Sequence, residues 1–97
     1  MTITYEQARD RVRAELEPSW TTGTFAIDDR TIVQNDVMYV FEVGAREFLK
    51  GEDPAFQIVG GVTVVYKEDG RVASLPSVQV ALDQSMQRRP NPEPLFS

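Results

Sequence analysis

Three pairs of neighbouring carboxylates, Asp28-Asp29, Glu52-Asp53 and Glu68-Asp69, are the residues whose type comes nearest to catalytic equipment. Two carboxyls facing one another across a cleft can serve as general acid and base, as in glycoside hydrolysis. Adjacent residues on a strand point to opposite faces, however, so adjacency alone does not build such a couple. Solvated loop or turn positions account for all three pairs better than catalysis does. Glu68-Asp69-Gly70 also lacks the alternating oxygen ligands and closing Glu of a calcium-binding loop, and neither a metal nor another cofactor is expected. Gly60-Gly61 precedes an apolar, strand-like run and has no following lysine and hydroxyl, so it reads as a tight backbone passage or bulge rather than a phosphate cradle. The hydroxyls of Ser19, Thr21, Thr22, Thr24, Thr31, Ser74 and Ser77 have no histidine to activate them.

The composition reinforces this. The 97 residues contain no Cys and no His, which removes thiolate chemistry and the side chain that most often moves protons near neutral pH. No enzymatic activity is expected. Ten Lys and Arg against 15 Asp and Glu give a formal charge of −5. Binding to nucleic acid depends on cations that displace counterions from phosphates, so a direct nucleic-acid partner is not expected, and a basic protein partner is electrostatically better matched. No run approaches the roughly 20 apolar residues of a membrane span, and no basic-then-apolar leader precedes the first helix. The chain reads as soluble, cytoplasmic and free of membrane contact.

A chain of this length has material for one core, assigned to residues 1–89, with a Pro-rich extended tail at 90–97. Thr4 followed by Gln7 forms a capping-box pattern, and Tyr5, Ala8, Val12 and Leu16 then recur at three- and four-residue steps. This predicts an amphipathic helix ended by Pro18. From Thr24 the period changes to two. Phe25, Ile27, Ile32 and Val33 form one long strand or two short ones, and Gln34-Asn35-Asp36 suits a turn. In Val37 to Val43 the alternation predicts a strand with Tyr39 and Phe41 facing the core and Glu42 facing away. Residues 44–53 read as a connector with one helical turn over 45–50, stopped by Gly51. Val62 to Lys67 and Arg71 to Leu75 flank Asp69-Gly70 as a hairpin. Pro76-Ser77 then opens a second helix over Val78 to Arg88, with Val78, Leu82 and Met86 four apart and Arg88-Arg89 suited to its C-terminal dipole. The predicted architecture is α+β: helix, about four antiparallel strands as a meander, helix, with both helices on one face.

Without catalytic equipment, the working surface falls to exposed acidic and aromatic residues. Trp20 either closes the end of the core or stands exposed as an interface anchor, the first being favoured. Asp28, Asp29, Glu42, Glu47, Glu52 and Asp53, with Glu15 and Glu17, form the exposed acidic set available to a partner. Homodimers through an edge strand near Phe25 or through Leu95-Phe96 fit the same pattern.

The segments Val37 to Val43, Arg46 to Asp53 and Gly60 to Val72 together resemble the immunity protein 35 (YrhB-like) family of bacterial toxin-immunity proteins. The likeness lies in an aromatic strand with Phe41 near its end, the connector Phe48-Leu49-Lys50-Gly51-Glu52-Asp53, the run Gly60-Gly61-Val62-Thr63-Val64-Val65, and the hairpin Asp69-Gly70-Arg71-Val72. It covers roughly residues 5–88. The chain departs from the family at Tyr39, where Trp is usual, and at Val62, where Pro follows the second Gly. The resemblance implies a small cytosolic antidote that neutralises a cognate toxin by direct binding. The alternative is a small folding or secretion chaperone that binds unfolded or extended client segments through an apolar groove.

Overall fold

The first helix forms because its opening donors are satisfied locally. In the computed structural model, which describes residues 2–56 and 61–96 with main chain only at Phe56, α1 spans Tyr5–Leu16. The Thr4 hydroxyl accepts from the Gln7 amide at 3.1 Å, and the Gln7 side chain accepts from the Thr4 amide at 2.9 Å. Tyr5, Ala8 and Val12 are its buried face. A single 3₁₀ turn over Glu17–Ser19 follows at Pro18, and Trp20 leaves it in extended geometry.

Five antiparallel strands form one sheet in the order β4-β3-β2-β1-β5: β1 Phe25–Gln34, β2 Met38–Ala45, β3 Val62–Tyr66, β4 Val72–Leu75 and β5 Gln87–Pro90. The helical turn in the connector is α2, Arg46–Leu49, and a short α3 covers Ser77–Ala81. The α+β class, the N-terminal helix and the antiparallel sheet agree with the sequence reading. Asn35 makes the β1–β2 turn, its side-chain oxygen accepting from the amides of Val37 and Met38 at 2.8 and 2.9 Å. Gly70 adopts φ +73° in the β3–β4 turn, a geometry that disfavours any residue with a Cβ. The helical turn of the connector ends before Gly51, as expected, and the left-handed residue that follows is Glu52, at φ +54°.

The sheet buries both faces. On one, Tyr5, Ala8 and Val12 of α1 pack on Phe25, Ile27, Ile32, Tyr39, Phe41 and Val65. Tyr5 meets Tyr39 edge-on at 5.6 Å and Phe41 at 5.1 Å between ring centroids, so three rings lock helix to sheet. Burial, with the Asp29 carboxylate nearby, pushes the Tyr5 phenol up to about 12. On the other face, Val80 of α3 and Met86 cover Val40 and Val64, with Val33, Met38, Val62, Ala73 and Leu75 around them. The expectation that both helices share one face is therefore corrected.

The second helix is also shorter than predicted. Val78 and Leu82 stand 67% and 76% exposed, so their four-residue spacing marks no buried stripe. The helix stops at Ala81 because Asp83 offers the backbone a competing partner: its carboxylate accepts from the Ser85 amide at 2.9 Å and the Ser85 hydroxyl at 2.6 Å. The chain reverses there. Residues 87–90, assigned to helix and tail from sequence, form β5 beside Thr31 to Gln34. Pro90 is tolerated because β5 is an edge strand. β5 flanks only Thr31 to Gln34 of β1, so the side of β1 away from β2 has no strand partner near Phe25 among the described residues; the outermost strands of the sheet are β4 and β5. Gly60 lies outside the described residues. Its neighbour Gly61 is a tight passage as read from sequence, since a Cβ there would sit 2.1 Å from the Leu75 carbonyl oxygen. No helix among the described residues is long and apolar enough to cross a membrane.

Candidate functional site

A dislocation in β1 organises the chemistry-bearing residues. Asp28 pairs with Glu42, and Val33 with Val40, so five steps on β1 oppose two on β2. Residues five apart on a regular strand face opposite ways; the bulge returns Val33 to the face carrying Asp28 and Glu42. Cross-strand partners share a face, which places Arg88, opposite Val33, there too.

These residues line a cleft of about 320 Å³ between the sheet and α3. Its floor is Val33, Val40 and Val62, its far wall Val80 and Ala81, and its charged rim Asp28, Arg30, Glu42 and Arg88. The four charges are not equivalent. Arg30 grips Asp28 with two prongs, Nε to Oδ1 at 3.0 Å and Nη2 to Oδ2 at 2.8 Å, while the Arg30 amide donates to Oδ1 at 3.2 Å. These hydrogen bonds hold the Asp28 carboxyl below its usual range. Glu42 is displaced the other way: desolvation, then the Asp28 charge, raise it, and Arg30 offsets only part of this. Among the described residues, no side chain or amide hydrogen-bonds or ion-pairs with the Glu42 carboxylate or the Arg88 guanidinium. The rim thus presents one internally neutralised pair, one free anion and one free cation above an apolar floor.

Asp29 is the correction. Read from sequence as an exposed acid, it is fully buried on the α1 side of the bulge. Its carboxylate accepts from Arg9 Nη1 at 3.0 Å and from the amides of Leu95 and Phe96 at 3.0 and 2.8 Å. The Asp29 carbonyl accepts from Asn91 Nδ2 at 2.8 Å. The C-terminal segment is accordingly anchored through residue 96: Phe96 is buried, with Arg30 4.7 Å and Lys50 5.2 Å from its ring centroid. Phe96 is therefore not available as a dimer contact, although Leu95 is 62% exposed.

The remaining predicted residues lie apart from the cleft. Trp20 is half-buried, edge-on to Phe25 at 5.3 Å, and its indole N–H donates to the Thr22 carbonyl at 2.6 Å, the arrangement of a core plug. Glu47 binds the start of β1, its carboxylate accepting from the Thr24 amide at 3.0 and 3.2 Å, which lowers its pKa. Glu52 is exposed, and Asp53 accepts from the Ala55 amide at 3.0 Å. Of the predicted set, only Asp28 and Glu42 are brought together. Arg30, Arg88 and Val80 were missed; the carboxylate–arginine alternation at Asp28 and Arg30 inside a β-branched strand was the available signal for a bulge. No group of three or more carboxylates among the described residues converges so as to hold a metal ion.

Comparison with family models, with curated proteins and with solved structures returned no match.

Proposed function

We propose that this chain acts by binding another protein rather than by chemistry, as a cytoplasmic immunity protein that neutralises a cognate, basic bacterial toxin. The observation that carries the reading is the cleft beneath α3, where the Glu42 carboxylate has no hydrogen-bond or ion-pair partner among the described residues and stands beside a valine floor. A carboxylate kept partly desolvated and beside Asp28 gains from a cation brought by a partner, and the −5 charge draws such a partner in from a distance. The absence of His and Cys from the sequence and the resemblance to immunity proteins point the same way. Co-expression with the product of a neighbouring toxin-like reading frame tests it: growth is restored and the two proteins co-purify. Continued toxicity with no complex overturns it.

A second reading, a small folding or secretion chaperone, draws on the exposed Val78 of α3 and Leu82 just after it. It predicts ANS fluorescence with the native protein and suppressed aggregation of unrelated clients, both weakened by Leu82→Ser.

A further inference from the structure

We propose that the cleft beneath α3 is a seat for a single basic side chain, lysine or arginine, presented by the partner protein; this rests on the binding reading above and names what the site recognises. The cleft's lining, apolar below and charged at the rim, suits an amphipathic side chain. Val33, Val40 and Val80 line a floor and wall suited to a methylene stem, and Glu42 stands beyond them on the strand that carries Val40. The stem loses water against the valines while the head reaches a carboxylate.

The charges choose the sign of the occupant. Asp28 is already engaged by both prongs of Arg30, so this pair attracts neither an anion nor a cation strongly. Glu42 has no hydrogen-bond or ion-pair partner among the described residues, and Asp28 sits directly opposite on β1. A guanidinium or ammonium delivered there pairs with the Glu42 carboxylate, and this attraction offsets both the water Glu42 loses and its repulsion by Asp28. An incoming carboxylate would be repelled by Glu42 and would have Arg88 alone, on the outer strand β5, to turn to. Arg88, on the neighbouring β5, is exposed and offers its donors to neutral acceptors, which the backbone carbonyls flanking the docked residue supply. The bulge in β1 is what makes the seat, because without the extra residues Val33 and Asp28 would face opposite sides of the sheet.

Three small probes test this without the toxin: Nα-acetyl-arginine amide, its uncharged citrulline counterpart and Nα-acetyl-aspartate amide, each titrated into the ¹⁵N-labelled protein and followed by NMR. The arginine compound is expected to bind saturably with a Kd of about millimolar, moving the amide signals of Val40, Glu42, Val80 and Ala81. The citrulline compound is expected to bind about tenfold more weakly or not at all, and the aspartate compound not at all. Glu42→Gln should abolish the preference for arginine over citrulline, while Glu68→Gln, in the β3–β4 turn, should leave it intact. Equal binding of the three compounds, shifts centred elsewhere, no saturable binding, or an unchanged preference in Glu42→Gln would overturn the proposal. Such a result leaves the immunity reading standing, since co-expression tests that separately; a failed co-expression with a positive titration leaves the seat and removes the assigned partner.

Discussion

Asp28, Asp29 and Glu42 are three acids within one bulged strand pair, and their surroundings assign them opposite consequences. Asp29 is a structural anion: it satisfies two backbone amides and Arg9 in a site without solvent exposure. Asp29→Ala leaves those donors unpaired and the Arg9 charge half-buried, and should cost about 3–5 kcal/mol in urea unfolding. Glu42, although exposed, is expected to lower stability slightly near neutral pH. Its native pKa is raised above the ordinary 4.5, so the folded state holds the proton more tightly and stability declines as pH rises through that interval. Glu42→Gln should therefore melt higher than the parent chain near pH 7 and at the same temperature near pH 3. Asp28 runs the other way: its pKa lies below 3.8, so its stabilisation is present above that value and is lost as pH falls further. At this scale the sequence was least informative, because Asp28 and Asp29 are chemically identical neighbours. Which one is buried depends on a bulge and on a tail 66 residues downstream at Leu95.

At the scale of elements, legibility followed how local the cause was. The capping box, the Pro18 break, the Tyr39/Phe41 strand face and the Asp69-Gly70 turn all rest on interactions within a few residues, and each is present in the structure. The last third was misread because Val78, Leu82 and Met86 share a helical spacing while only Met86 is buried. What the spacing could not reveal is that β1 has a free side for Gln87 to Pro90 and that Asp83 and Ser85 redirect the chain toward it. Two changes test this assembly. Ending the chain after Pro90 removes both amide donors to Asp29 and the buried Phe96 ring, and should cost about 3 kcal/mol or more while leaving far-UV circular dichroism nearly unchanged below the transition. Gly61→Ala forces a methyl against the Leu75 carbonyl and should lower stability by about 1–3 kcal/mol in the same assay. A neutral result would mean that β3 and β4 do not approach as closely there as described.

Across the whole molecule, one sheet is covered on both faces, α1 closing the larger core and α3 only part of the other. The uncovered remainder of that second face is the cleft, so the same short helix that sequence periodicity overextended is what leaves the candidate site open. Had the helix run on to Arg88 as predicted, β1 would lack its β5 partner and Arg88 would not stand opposite Val33. Net charge and the lack of His and Cys were readable from composition alone and direct attention to recognition. The location of the proposed recognising surface was not, because it depends on β1–β2 register. If long-range attraction assists capture, association with a basic partner should slow about tenfold or more between roughly 20 mM and 500 mM salt, as the Debye length contracts, while dissociation changes little.

Whether this chain works by occupying another protein is tested most directly by stopped-flow association between the purified chain and the product of the proposed cognate toxin gene, paired with an assay of that product's activity. A stoichiometric complex, loss of the product's activity on mixing, and weaker binding by Glu42→Gln with the fold intact are expected. Full activity in the presence of excess chain, with no complex detected at any salt concentration, would contradict it.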